Sequence, residues 1–211
     1  MLCKDQLKDK LVALFSDTNP EYIIDAVMAA QNELSRKAKQ MKRADMERLF
    51  DSQLATLKDR GCPSQIIEIL ANGKAKVIDH AQTIAVADGN LPFAPVITPL
   101  YLGYHGIVAM VRNGDKTGYT YLDPTQITDE ERVPAKLYYH FDIEDGTARL
   151  GKKPEISDRE IRAEKRLRST AAEVVSIGTH TNVLSKHYVD AGGSRYKSAG
   201  VPHVCLGDSG P

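Results

Sequence analysis

The 211-residue chain has no tryptophan, four phenylalanines and three cysteines. The cysteines, Cys3, Cys62 and Cys205, are odd in number and far apart. That excludes a disulfide framework and points to a reducing compartment. Net charge is also missing: 28 basic residues meet 28 acidic ones. The balance is local too, with 13 basic and 12 acidic groups over residues 1–80 and 15 and 16 over 81–211. A nucleic-acid binder normally needs a basic excess that displaces counterions from phosphates, so a nucleic-acid partner is disfavoured. No stretch approaches the roughly 18 apolar residues of a membrane-crossing helix. The opening MLCKDQLKDK has charges every few residues and no apolar core, unlike a secretory signal. The expectation is a cytoplasmic protein without a membrane partner.

What remains is ordinary globular composition, with enough length for one large domain or two small ones. Leu7, Leu11, Leu14 and Phe15 lie on one face of a helix over residues 4–15. Asn19-Pro20 starts a second helical stretch, because Asn caps and Pro needs no partner for an amide hydrogen it lacks. A drifting apolar stripe then runs through Ile23, Val27, Leu34, Met41, Leu49, Leu54 and Leu57 to a stop at Gly61. The stripe over residues 20–60 reads as the core contact of a helical hairpin or as a homodimer seam. Shorter helices follow over 64–71 and 74–87.

Composition shifts after residue 90. LPFAPVITPLYLGYHG carries three prolines and two glycines and predicts an extended crossing segment. IVAMVR (107–112), the turn NGDKTG and YTYL predict an antiparallel hairpin. KLYYHFDI (136–143) predicts a third strand. Ser157 with Glu160, and Thr170 with Glu173, have capping-box spacing and predict two helices. Late strands are expected at 186–190 and 201–206. The fold class is α+β: a helical N-terminal bundle over 1–88, then a small mixed α/β domain over 89–211.

LPFAPVITP (91–99), MVRNGDKTGYTYLDPTQITD (110–129), YYHFDIEDG (138–146), TAAEVVSIGTH (170–180) and GSRYKSAGVPHVCL (193–206) resemble an uncharacterised bacterial family, a domain of unknown function. The resemblance covers about residues 85–211. It implies no catalytic residues. It implies a Trp- and Gly-containing tail after this point, where the present sequence ends at GDSGP.

The residues with chemistry cluster late. His180, His187, Asp190, His203 and Cys205 supply imidazole, carboxylate and thiol donors, the set zinc prefers. His203 and Cys205 would share one face of a strand. His187, His203 and Cys205 are the candidate metal ligands, although no CxxC or HExxH spacing supports them. Cys205 beside a histidine is also a candidate nucleophile, against the plainer reading of a small buried hydrophobe. In AGGSRY (191–196) two glycines would let backbone amides converge on an anion, with Arg195 adding a fork. The plainer reading is a strand connection with Arg195 in an ion pair. GDKTG (114–118) is a hairpin turn rather than a phosphate loop. GDSGP resembles a serine-protease nucleophile motif, but only two residues follow Ser209, too few to build that pocket. The basic run SRKAKQMKR (35–43) reads as a solvated helix face.

The leading expectation is a non-catalytic protein that binds a small anionic ligand or another protein. Its C-terminal pocket would be lined by His180, His187, Arg195, Tyr196 and His203. A hydrolase-type enzyme built on a metal or Cys205, and an assembly protein acting through the N-terminal helices, are the alternatives.

Overall fold

A computed structural model describes residues 41–132 and 134–206. The expected helices over 4–15 and 20–40 lie outside these residues. The described part is α+β, with six α-helices and four antiparallel strand pairs. None of its helices is long and apolar enough to cross a membrane.

The first helix, α1 (Arg43–Asp59), buries Met46, Phe50, Gln53 and Leu57, a spacing that keeps one face inward. It ends as its sequence predicts. Gly61 adopts φ 81°, its amide bonds to Lys58 O, and the Cys62 amide reaches back to Leu57 O. This pair of bonds satisfies two orphan carbonyls, and only glycine enters that conformation without strain. Helices α2 (Ser64–Ala71) and α3 (Lys74–Thr83) follow, and both pack on α1.

The main strand pair joins β1 (Leu91–Val96) to the later β5 (Tyr138–Ile143), antiparallel. Alternation divides its faces. Phe93, Tyr139 and Phe141 meet Met46, Phe50, Val77 and Ile78 from α1 and α3, and the Tyr139 ring stacks on Phe50 at 5.3 Å. Ala94 and Val96 join the core around Val174 and Ile177 of α6 (Ala171–His180). Nine consecutive residues of α6, Ala171–Thr179, are buried, so this helix is enclosed on all sides, its polar Glu173, Ser176 and Thr179 bonded within the fold. Leu57, Ile66 and Leu70 share that second core with Val111 and Val189, so elements on both sides of residue 88 contribute to it.

The outer edge of β1 is closed by side chains. Phe93 O accepts Gln53 Nε2 at 2.8 Å, and Pro95 O accepts Ser176 Oγ at 2.7 Å. Gln53 comes from α1 and Ser176 from α6, so helices on both faces supply the missing partners.

Between β1 and β5 the structure departs from expectation in two places. Pro99–Val108 is a helix, α4, not an extended segment. Thr98 and Pro99 form its start, and Gly103 at φ 63° and ψ 168° kinks it, which reconciles a Gly-rich stretch with helical ends. Ile107 and Val108 therefore end a helix rather than begin a strand. The hairpin is present but short: β2 (Arg112–Asn113) pairs β3 (Lys116–Thr117) around Gly114, and residues 119–122 are not a strand.

The remaining pairs are β4 (Ile127–Asp129) with β7 (Ser194–Tyr196), and β6 (Val189–Asp190) with β8 (His203–Val204). Helix α5 runs Pro154–Ala163, starting at Pro154 rather than at a Ser157 capping box. The Thr170–Glu173 box opens α6 as expected.

Pro92 would stand opposite Asp142 in the β1–β5 register, but that pair is absent. Proline has no amide hydrogen to offer across the ladder. Asp142 turns instead into the left-handed region at φ 49°. Its carbonyl accepts from Arg166 and Asn90, and its carboxylate accepts from the Ala87 amide and Asn90 and pairs with Arg166 at 2.7 Å. One residue thus joins the end of the helical layer, the strand and the segment before α6. Asp142→Ala should cost about 2–3 kcal/mol, since it strands Arg166 and the Ala87 amide. Asp142→Asn should cost less, because it keeps an acceptor. Urea denaturation midpoints of the two variants check the order; equal losses would show that a neutral amide oxygen does not stand in for the carboxylate.

Candidate functional site

A cleft of about 370 Å³ opens beside β5. Its walls are His140 and Asp142 of β5, the 144–153 loop, α5, the 166–169 segment and residues 187–201. Charge density is high, yet the charges are arranged in pairs. Arg149 holds Glu144 and also Glu164 at 2.7 Å. Lys152 holds Glu160 at 2.7 Å, and Arg166 holds Asp142.

Arg168 is the deepest of these cations, with 4% of its side chain exposed. It donates to Glu131 and to Asp158, each at 2.7 Å, and lies 3.2 Å from Glu130. Burial works against its charge, but the hydrogen bonds and negative charges of Glu131 and Asp158 outweigh burial and hold its pKa above the ordinary value. The residue ties the loop after β4 to α5 and to the approach to α6.

A second polar group lies behind the cleft wall. Ser194 Oγ accepts the Ala171 amide at 2.8 Å at the start of α6 and donates to Asp129. Burial raises the Asp129 carboxyl, and the Ser194 bond opposes that rise. Glu173 accepts the Thr170 amide at 2.7 Å and the Tyr138 hydroxyl at 3.0 Å. His140, beside it on β5, has its Nδ1 3.8 Å from Glu173, too far for a hydrogen bond, and burial lowers its pKa.

The expected site residues are distributed between this cleft and other places. His187 and Arg195 line the cleft. His187 Nδ1 faces Tyr188 O at 2.8 Å, so Nδ1 carries the proton and Nε2, 3.5 Å from Thr147 Oγ1, is the acceptor in the neutral ring. Arg195 is engaged by Gly192 O and Ser194 O, both at 2.9 Å, and by Glu130 at 3.0 Å. Tyr196 lies on β7 with the Lys197 ammonium 5.2 Å above its ring. His203 faces Asp190 across β6–β8, its ring 5.7 Å from that of Tyr188. His180 ends α6 and lines a separate void of about 10 Å³ with Leu57 and Met110.

The metal set is not assembled. Among the described residues no group of three or more His, Cys, Asp or Glu side chains could hold a metal ion. His187 turns toward the 146–147 loop, His203 faces Asp190, and Cys205 follows the end of β8 beside Tyr121. The anion nest is not formed either. The amides of Ala191, Gly193, Ser194 and Tyr196 bond to Pro202, Ser169, Ala191 and Gly200 carbonyls, so these donors have partners within the fold.

Asp142, Asp158, Arg149 and Arg168 carry no site motif in the sequence. Their only signal is the mixed acid and base pattern over 142–168, which also describes any solvated helix face. Comparison with family models, curated proteins and solved structures finds no match for the chain.

Gly192 and Gly193 differ sharply in what surrounds them. A Cβ on Gly193 would lie 2.5 Å from Arg168 O, whereas one on Gly192 would make ordinary contacts near 3.5 Å. Gly193→Ala should therefore lose about 1–3 kcal/mol and Gly192→Ala less than about 1 kcal/mol. Thermal denaturation of both variants checks this, and equal losses would contradict the close approach.

His180 has both ring nitrogens buried without hydrogen-bond partners. Burial pushes its pKa down to about 3, with Arg60 adding to the shift. The unfolded chain binds this proton near pH 6.5, whereas the folded chain refuses it until about pH 3. Stability contributed by the neutral ring is thus complete above pH 6.5 and declines as pH falls. Going from pH 6.5 to 4.5 should remove roughly 2–3 kcal/mol on this account. His180→Leu should flatten that part of the stability–pH curve; an unchanged acid slope in the variant would refute the assignment.

Proposed function

We propose that the chain is a binding protein for a small ligand and that the cleft beside β5 is its site. The observation that carries the reading is a metabolite-sized cleft whose polar walls are fixed in advance by ion pairs. A volume of about 370 Å³ falls in the range of ligand pockets. Arg149, Arg166, Arg168 and Arg195 come from three segments, and each is held by at least one carboxylate. Their side chains lose little further freedom when a ligand arrives, which favours binding. Leu150, Leu167 and Tyr188 stand exposed among the lining residues and give the mouth an apolar component.

Binding is preferred over hydrolysis because Cys205 and His203 are not among the lining residues. The free thiols Cys62 and Cys205 fit a reducing compartment, which supports the cytoplasm as its location. The resemblance of residues 85–211 to a bacterial family belongs to the same proposal and adds no ligand to it.

A thermal-shift screen of metabolites tests the site. Saturation with a ligand at about 100 times its Kd should add close to 2.7 kcal/mol, or roughly 5–10 °C in Tm. Ser157→Trp places a large ring among the lining residues and should abolish the shift while leaving the unliganded Tm within a few degrees. A shift that persists in Ser157→Trp would place the ligand elsewhere, and the absence of any shift would remove the binding reading.

A further inference from the structure

The charges that line the cleft are unequally occupied. Five cations face it, and each has a carboxylate partner: Arg149 with Glu144, Lys152 with Glu160, Arg166 with Asp142, Arg168 with Asp158, and Arg195 with Glu130. An entering anion would meet cations that each already have a carboxylate beside them, so its attraction would be opposed by those neighbouring negative charges. The expectation of an anionic ligand rested on Arg195 and the Gly-Gly loop, and both are occupied by the protein's own groups.

The lining carboxylates are less fully matched. Asp190 forms no ion pair with Lys or Arg among the described residues; His203 is the partner across the strand. Asp190 belongs to β6, where side chains alternate. Val189 is buried while its neighbours Tyr188 and Asp190 are exposed, and both of these line the cleft. Tyr188 is 61% exposed, with the His203 ring 5.7 Å from its own on the neighbouring strand. A carboxylate and an open aromatic face side by side complement a positive charge: the first by charge-assisted hydrogen bonds, the second through the negative face of its ring.

From this arrangement we infer that the ligand is an organic cation, with an ammonium or guanidinium head seated between Asp190 and the ring of Tyr188. The inference rests on the cleft being the binding site. The remainder of the ligand extends toward the paired arginines and carboxylates. These still offer unused donors and acceptors for neutral polar groups.

The test is isothermal titration of the full chain in constant salt with three sets of probes. The cations are choline, putrescine and agmatine; the anions are succinate and inorganic phosphate; the neutral compounds are glycerol and glucose. Saturable binding of at least one cation is expected. Asp190→Asn should weaken it about 10- to 100-fold, the effect of losing a hydrogen bond to a charged group. Tyr188→Ala should weaken it about 2- to 30-fold. Both residues are exposed, so the unliganded Tm should hold in each variant. Cation binding that ignores Asp190→Asn overturns the inference. Binding of only anions or neutral compounds, lost in Ser157→Trp, overturns the ligand class and leaves the cleft as a site. No binding in any set overturns both.

Discussion

The guanidinium of Arg168 is the constraint on which the rest of the cleft depends. Glu130, Glu131 and Asp158 gather around it from the loop after β4 and from α5. Without a cation at their centre, three carboxylates would repel one another in a partly buried setting, and the two segments would separate. The cation is also fixed from behind. Gly193 passes so close to Arg168 O that no side chain fits between them, and the Gly193 amide bonds to Ser169 O. Backbone proximity and ion pairing therefore hold the same wall from opposite sides. This explains how short two- and three-residue strands such as β4, β6 and β7 keep a fixed geometry with so little ladder of their own.

Much of the architecture was legible in local signals. The Gly61 stop, the short α2, the Thr170–Glu173 box and the third strand all rest on rules that act within a few residues, and each appears in the structure close to its expected place. The failures share a cause. In α4, proline and glycine were read as breakers, although Pro99 occupies a first turn and Gly103 takes up a kink inside the element. In α5, proline at the start set the boundary, and the Ser157–Glu160 spacing had no part in it. Both residues permit helices at particular positions that composition alone does not specify.

The candidate site was less legible because its contacts are distant in sequence. Asp142 meets Arg166 and Ala87, Arg168 meets Glu131, and Ser194 meets Asp129. No periodicity connects such partners. Of the residues picked out beforehand, His187 and Arg195 do line the cleft, whereas His180 lies in a separate apolar setting at the end of α6. Proximity in sequence had grouped the histidines, and the turns on either side of β6 and β8 send them in different directions. A proline that cannot donate, Pro92, is the one local clue to the Asp142 junction, because a missing ladder bond requires another donor to be found.

The covered edge of β1 has a consequence for behaviour at high concentration. A two-stranded ribbon ordinarily offers open edges to neighbouring molecules, and edge-to-edge growth is a common route to aggregates. On β1 the Gln53 amide and the Ser176 hydroxyl already cap the Phe93 and Pro95 carbonyls, and Pro95 brings no amide hydrogen. A foreign strand arriving there would find the Phe93 and Pro95 carbonyls already engaged and no amide hydrogen at Pro95. Protection against self-polymerisation is thus built into residues that also join the helices to the strand, so loosening that core would at once uncover a sticky edge.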